Sequence, residues 1–288
     1  MIAVQYIAFR IWLFSLAWKP RSWARLRARE QMKLLDWFFP RFRRVALRNL
    51  EMAGYSDPRK IANGVFRSLA RMAVSFARFP RITRENVHEW IRYDGLENFT
   101  SAMAKGRGVL VATAHLGNWE LSAFAHALMT APMHVVVRTL DNPKVDAFVE
   151  RYRALSGNHV IRKKDAARGV LRALRAGEAV GILIDQNVTL EEGTFIDFFG
   201  IKTCAGTHFS AFSRHSGAAV VPGFALWSET EQKYVLRFYP EVPMTGDVQA
   251  DTQRVHAVLE SVIRQYPDQW LWIHRRWKTR PPGEPPIY

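Results

Sequence analysis

The sequence predicts an α/β fold, a mixed and largely parallel sheet flanked by helices, with a basic helical region ahead of it. Three observations carry this expectation. From Asp94 onward short apolar runs alternate with amphipathic stretches, residues 1–93 show only helical patterning, and nearly all of the net charge sits in that first third. Alternation of the first kind is the signature of layered α/β architecture.

The basic region comes first. Residues 1–93 hold 19 Lys/Arg against 6 Asp/Glu, a balance of +13 out of the +15 of the whole chain. Val4–Trp18 is apolar apart from Gln5, Arg10 and Ser15. It is too short to span a bilayer comfortably and carries a cation near its middle. No small-residue cleavage site follows it, so it reads as an interfacial or shallowly inserted anchor helix rather than a removed signal peptide. Tyr6, Phe9, Trp12, Phe14, Trp18, Trp23, Trp37, Phe38 and Phe39 are interleaved with cations, a mixture suited to an anionic membrane surface. Single-strand nucleic-acid sites use the same mixture, so a nucleic-acid-binding protein remains the rival reading at this point. Asp57-Pro58 opens a further helix to about Phe79, where Pro80 stops it. Its apolar face is Ile61, Val65, Leu69, Met72, Phe76 and Phe79. Lys60, Arg67, Arg71 and Arg78 form a second stripe, expected to face either solvent or a membrane.

The strands follow. Gly108–Ala114, Met133–Arg138, Ala179–Asp185 and Ala218–Leu226 are apolar runs of the kind found in strands covered on both faces. Lys233–Tyr239 reads as one more strand. Pro143–Leu155, Ala166–Ala176 and Asp251–Tyr266 read as helices, and Pro281–Tyr288 as an irregular tail. With no repeat or linker in the sequence, residues 1–288 are expected to form one domain, helical over 1–93 and α/β over 94–288. A single cysteine, Cys204, excludes an internal disulfide framework and a multi-cysteine metal site, and points to a reducing compartment.

Candidate chemistry concentrates in the segment around HLGNWE. A buried strand ends at Ala114, His115 follows, Gly117-Asn118 make a turn, and Trp119-Glu120 open a helix. Groups just past the carboxyl ends of strands in open α/β sheets line ligand clefts. Glu120 could return to the imidazole of His115 if the turn folds back, giving the base half of a triad without a nucleophile. Of the nine histidines only His115 has an acid five residues on, and about one such pair is expected by chance, so location rather than spacing gives it weight. Asp185-Gln186-Asn187 also ends a buried strand and should face the same cleft. The other histidines lack acid partners at metal-ligand spacing, Cys204 reads as a packed small residue, and no metal site is expected.

HLGNWE resembles the His-x4-Asp/Glu motif of the lysophospholipid acyltransferase superfamily, and within it the bacterial lipid A late acyltransferases. VVVRTLDNP (135–143), FVERYRALSGN (148–158), IRKKDAARGVLRALRAGEAVGILIDQN (161–187), FFG (198–200), VVP (220–222) and WLWIHRRWKTRPPG (270–283) agree in order. The resemblance covers nearly the whole chain. It implies a glycerol-phosphate-acyltransferase-like fold and a catalytic group of His115 as general base, Glu120 as its holder and Arg153 as the cation for developing negative charge or a phosphate. Asn118, Arg138, Asp185, Asn187, Arg275 and Arg276 are then the substrate-binding candidates. The implied reaction passes an acyl group from acyl carrier protein or coenzyme A, as co-substrate and without a cofactor, to a hydroxyl of a lipid A precursor or related glycolipid. A lysophospholipid or other lipid acceptor is the alternative. The implied location is the cytoplasmic face of the inner membrane, with nucleic acid disfavoured as a partner. Where glycerol-phosphate acyltransferases carry Glu-Gly-Thr-Arg, this chain has Glu192-Gly193-Thr194-Phe195, which argues for a larger acceptor than glycerol phosphate.

Overall fold

The computed structural model describes residues 2–288, the side chain of Asp165 excepted. Four helices come first: α1 (Ile2–Ala17), α2 (Arg21–Phe38), α3 (Pro40–Met52) and α4 (Pro58–Ala77). The Asp57 side chain caps α4 by accepting the Lys60 amide at 3.0 Å. Packing within this region depends on small side chains. Ala24 and Ala28 of α2 and Leu13 and Leu16 of α1 meet Ala70, Ala73, Val74 and Ala77 of α4, and methyl-sized contacts let the helices approach closely. α4 is therefore covered along a wider surface than one stripe, its other end packing Ala62 and Val65 into a second core with Trp270 and Trp272.

The cationic stripe of α4 does not face outward as a unit, which corrects the expectation. Lys60 and Arg67 are exposed, but Arg71 and Arg78 are buried. Arg71 pairs with Glu229 and lies 4.8 Å from the Trp227 ring centroid. Arg78 donates to the carbonyls of Leu16 and Lys19, and Arg81 to that of Ala17 at 3.0 Å. A helix end leaves carbonyls without intrahelical partners, and these two guanidiniums satisfy them at the end of α1. They hold α1 to the body of the protein.

The α/β part runs β1 (Ile91–Asp94), α5 (Leu96–Met103), β2 (Val109–Thr113), α6 (Trp119–Met129), β3 (His134–Val137), α7 (Pro143–Ala154), β4 (His159–Arg162), α8 (Ala166–Arg175) and β5 (Ala179–Leu183). It continues through the hairpin β6 (Gly193–Phe198) and β7 (Ile201–Gly206), then α9 (His208–Ser216), β8 (Ala219–Ser228), β9 (Lys233–Phe238) and α10 (Val248–Gln265). Seven strands form one sheet in the order β1-β9-β8-β2-β5-β3-β4, parallel throughout except for the β8–β9 pair. The expected mixed, largely parallel sheet with flanking helices is what forms. Alternation along β2 shows how both faces are covered. Val109 and Val111 point to the side of α5 and α6, while Leu110 and Ala112 pack with Val170 and Leu174 of α8 and Phe209 and Phe212 of α9.

Strands β1 and β4, the β6–β7 hairpin and helices α5 and α9 are not in the sequence reading. β1 and β4 have four residues each, and β1 begins inside the stretch expected to be wholly helical. No helix among the described residues is long and apolar enough to cross a membrane.

Candidate active site

The β2–β5 register places the central pair. Thr113 stands opposite Leu183, so His115 and Asp185, each two residues further on, emerge side by side at the carboxyl edge of the sheet. His115 Nδ1 meets Asp185 Oδ1 at 2.9 Å, and the His115 backbone N–H donates to Asp185 Oδ2 at 3.0 Å. Trp270 Nε1 donates to the same Oδ2 at 2.8 Å. Asp185 is buried, so these three donors replace its hydration. With Nδ1 donating to the carboxylate, Nε2 is the free basic nitrogen, and it has no partner among the described residues.

Burial alone would lower the pKa of His115. The charge of Asp185, its hydrogen bond and a smaller contribution from Glu120 outweigh this and raise it above the ordinary imidazole value. The neighbouring imidazole, the Trp270 donor and the His115 amide hold the Asp185 carboxyl well below the usual carboxylate range against the opposing effect of burial.

The turn carrying His115 is fixed from several directions. Leu271 N–H donates to the His115 carbonyl at 3.0 Å, Gly117 N–H to Gln269 at 2.9 Å and Asn118 N–H to Ala225 at 2.9 Å. Gly117 has φ of +65°, and a Cβ there would sit 2.0 Å from the Ala225 carbonyl oxygen, so both conformation and space require glycine. The Trp119 ring lies edge-on to His115, with centroids 4.9 Å apart.

Glu120 does not hold the histidine, which departs from the expectation drawn from the motif. Helix α6 begins at Trp119, and Glu120 projects to α7, where it takes a bidentate pair from Arg153, Nε at 2.9 Å and Nη2 at 2.5 Å. A planar fork matched to a carboxylate is a stronger partner than a distant ring nitrogen already committed to Asp185. Arg153 is thus brought to the site, through Glu120.

The remaining candidates divide. Asn118, expected to bind substrate, is wholly buried; its Oδ1 caps α6 at the Leu121 amide and its Nδ2 donates to Ser75 Oγ at 2.7 Å. Arg276 is also wholly buried, where burial lowers its pKa to about 10, and its Nη1 holds the carbonyls of Gln186 and Cys204. Arg138 is exposed after β3 and pairs with Asp141 at 3.3 Å. Asp185 braces the histidine rather than meeting solvent. Asn187 and Arg275 do line an open groove, together with His274. Cys204 is a packed, buried side chain. Among the described residues no cluster of three or more His, Cys, Asp or Glu side chains could hold a metal ion. Trp270 was missed in the sequence; its signal was its place in the WLWIHRR segment.

Beside Trp119, whose ring packs against His115, an apolar cavity lies between α6 and the sheet. Trp119, Ser122, Ala123 and His126 line it from α6, at the spacing of one helical face. Glu120 and Arg153 also belong to its wall, next to Trp119, and Phe99, Phe238 and His126 pack together within it. The lining is mostly apolar. His126 is kept neutral, its pKa pushed down to about 4 by burial, while its Nδ1 meets the Tyr93 hydroxyl at 2.7 Å.

A carboxylate-braced histidine at the edge of an α/β sheet, next to an apolar cavity, can act as a general base toward a hydroxyl. The comparisons with known proteins name the reaction class. The bacterial lipid A biosynthesis acyltransferase family matches residues 2–279. The lipid A biosynthesis palmitoleoyltransferase of Escherichia coli is 31% identical over 258 residues, 87% of this chain and 83% of that protein. The lauroyltransferase of the same pathway and organism is 29% identical over 265 residues, 89% and 85%. A phosphatidylinositol mannoside acyltransferase of Mycolicibacterium smegmatis is 24% identical over 239 residues, 80% and 78%. The chain belongs to the bacterial lipid A biosynthesis acyltransferase family. It is an acyltransferase.

Proposed function

We propose that this acyltransferase moves a fatty acyl group from a thioester of acyl carrier protein or coenzyme A to a hydroxyl of a lipid A precursor, with His115 as the general base. The observation that carries the reading is the His115–Asp185 pair, with the His115 ring against Trp119 in the wall of the apolar cavity. His115 Nε2 takes the hydroxyl proton as the oxygen attacks the thioester carbonyl. The tetrahedral intermediate then expels the thiolate, which recovers the proton from His115. One ester bond forms and one thioester bond breaks, with no covalent acyl-enzyme. Asp185 fixes the tautomer and stabilises the imidazolium. Arg153, whose Nη1 has no protein partner among the described residues, and the Trp119 and Glu120 amides at the start of α6 are the oxyanion donors.

The apolar cavity is the acyl site. Ala123 is the small apolar side chain on its α6 wall, and Gly181 in β5 adds none; a Cβ there would already lie 3.0 Å from the Met133 methyl. Purified protein should release one thiol per acylated lipid A precursor formed. Ala123→Phe should move the preferred donor to a shorter chain, since a pocket discriminates one methylene by roughly 10- to 200-fold. Competition between acyl thioesters of graded length reads the shift. Unaltered preference in a folded variant would place the chain elsewhere, and absence of transfer by the parent would refute the reaction.

The protein works at the cytoplasmic face of the inner membrane, docked by α1 and α2. Of fifteen exposed large apolar side chains among the described residues, twelve fall within residues 2–39, a concentration foreign to a solvated surface. Ile7, Ile11 and Phe14 make one stripe along α1, continued by Trp18 just past its end. Changing Ile11, Phe14 and Trp18 together to Ser should release the protein from anionic vesicles by tenfold or more, since burying each side chain fully is worth about 1.5–3 kcal/mol. The fold should survive, because all three are already exposed. Equal vesicle partitioning of variant and parent would refute docking through this face.

A further inference from the structure

A second opening, a groove at the surface, shares no lining residue with the apolar cavity. It lies where the loop after β5 meets the start of α3 and the C-terminal segment, and Arg41, Asn187, Glu192, His274, Arg275 and Lys278 line it. It adjoins the reacting centre: Asn187 is two residues past Asp185, and His274 is close enough to Asp185 and His115 to feel both charges.

The charge of this groove is unbalanced. Arg41, Arg275 and Lys278 are exposed, and none forms an ion pair with a described carboxylate. Glu192, the one acid in the lining, is engaged by Lys163 at 3.1 Å. The two guanidiniums rest against aromatic rings, Arg41 at 4.9 Å from the Phe42 centroid and Arg275 at 5.8 Å from that of Tyr288. An arginine supported through its face keeps its in-plane donors free for a planar or tetrahedral anion. Burial pushes the pKa of His274 down to about 4, so it offers a neutral ring rather than a fourth cation, and its buried Nδ1 has no partner.

The groove is also rigid on the catalytic side. Thr279 N–H donates to Asn187 Oδ1 at 3.0 Å, Asn187 Nδ2 donates to Thr279 Oγ1 at 2.9 Å, and Thr279 Oγ1 donates to the Val188 carbonyl at 2.8 Å. The C-terminal segment that carries Arg275 and Lys278 is thereby locked to the loop that carries Asp185.

We propose that this groove binds a phosphate group of the glycolipid acceptor, with Arg41, Arg275 and Lys278 as its ligands, and so presents the acceptor hydroxyl to His115. The inference rests on the acyl transfer proposed above. The apolar cavity accounts for the acyl chain, and a transfer reaction needs a second, separate compartment for its acceptor. Three uncompensated cations beside neutral hydrogen-bonding groups match a phosphorylated sugar. A phosphate on the pantetheine arm of the donor has the same chemistry, and kinetics separates the two sources.

The test uses the full-length protein in mixed micelles and the variant Arg41→Gln/Arg275→Gln/Lys278→Gln. Its three sites are exposed, and an unchanged melting temperature verifies the fold. Expected is a rise of roughly ten- to hundredfold in KM for a phosphorylated lipid A precursor, with KM for the acyl thioester within about twofold of the parent. With the precursor enzymatically dephosphorylated, variant and parent should become equal. A rise in thioester KM alone would assign the groove to the donor and overturn the proposal, as would unchanged values for both substrates. Retention of the phosphorylated precursor on micelle-bound protein, measured without donor, reads the groove apart from turnover. Loss of retention in the variant supports the groove even if the parent proved inactive in transfer; equal retention overturns it even if transfer is intact.

Discussion

His115→Ala should lower acyl transfer by about 10²- to 10⁴-fold, the contribution typical of a positioned general base. Asp185→Asn should fall in the same range, because an amide can neither hold the Nδ1–H with a charge nor stabilise the imidazolium. The double variant should be little worse than His115→Ala alone, since the two side chains share one task. Glu120→Ala, by contrast, should multiply with His115→Ala, because Glu120 touches Arg153 and not the imidazole. The pH dependence gives an independent check with a definite sign. Transfer needs neutral His115, and Asp185 raises its pKa above the ordinary imidazole value, so the rising limb of the rate profile should be displaced upward from that of a free imidazole. Removing the Asp185 anion leaves burial as the dominant influence, and burial disfavours the charged ring. The residual activity of Asp185→Asn should therefore rise at lower pH than that of the parent. Wild-type turnover by folded His115→Ala, measured as transfer from a thioester to lipid A precursor, would remove the mechanism altogether.

The sequence made the sheet legible because strands covered on both faces are continuous apolar runs, as β2, β5 and β8 are, with β3 nearly so and β9 readable from its apolar centre. β4 carries too few residues to display a period, and the β6–β7 hairpin mixes Thr194, Asp197, Lys202 and Thr203 with its apolar residues, so it shows no apolar run. The site was legible in its parts but not in its pairing. His115 and Asp185 could each be recognised as residues at a strand end, yet only the strand order makes β2 and β5 neighbours and their register makes the two residues adjacent. A five-residue separation suggested Glu120 instead, and the helix start at Trp119 sends that carboxylate elsewhere. Arg71 and Arg78 mislead for a related reason. A cation on a helix looks the same in sequence whether it meets water, an acid from β8–β9 or the open end of another helix. Asn118 was read as a polar group of a cleft, whereas its task is the cap that starts α6.

The Glu120–Arg153 pair should behave as a single unit at the mouth of the acyl cavity. Both side chains are mostly buried, at 14% and 22% exposure, so removing either partner leaves an unpaired charge in a poorly solvated place. Burial opposes the charge on Arg153, but the Glu120 hydrogen bond and charge prevail and raise its pKa. The other acids of α7 are engaged elsewhere, Asp146 and Glu150 both by Arg162. Glu120→Ala and Arg153→Ala should each destabilise the fold by about 3–5 kcal/mol and depress transfer. The double variant should be less unstable than the sum of the two, by a coupling of about 0.5–3 kcal/mol. Arg153→Lys separates charge from geometry: it keeps the cation but cannot span both carboxylate oxygens and leaves no second nitrogen for the oxyanion. Turnover should fall roughly 10- to 100-fold, while the stability loss stays smaller than in Arg153→Ala. Thermal unfolding and kcat measured on all four variants decide the matter. Strictly additive stabilities would dissolve the pair into two independent residues, and an Arg153→Lys enzyme as fast as the parent would confine Arg153 to a packing role.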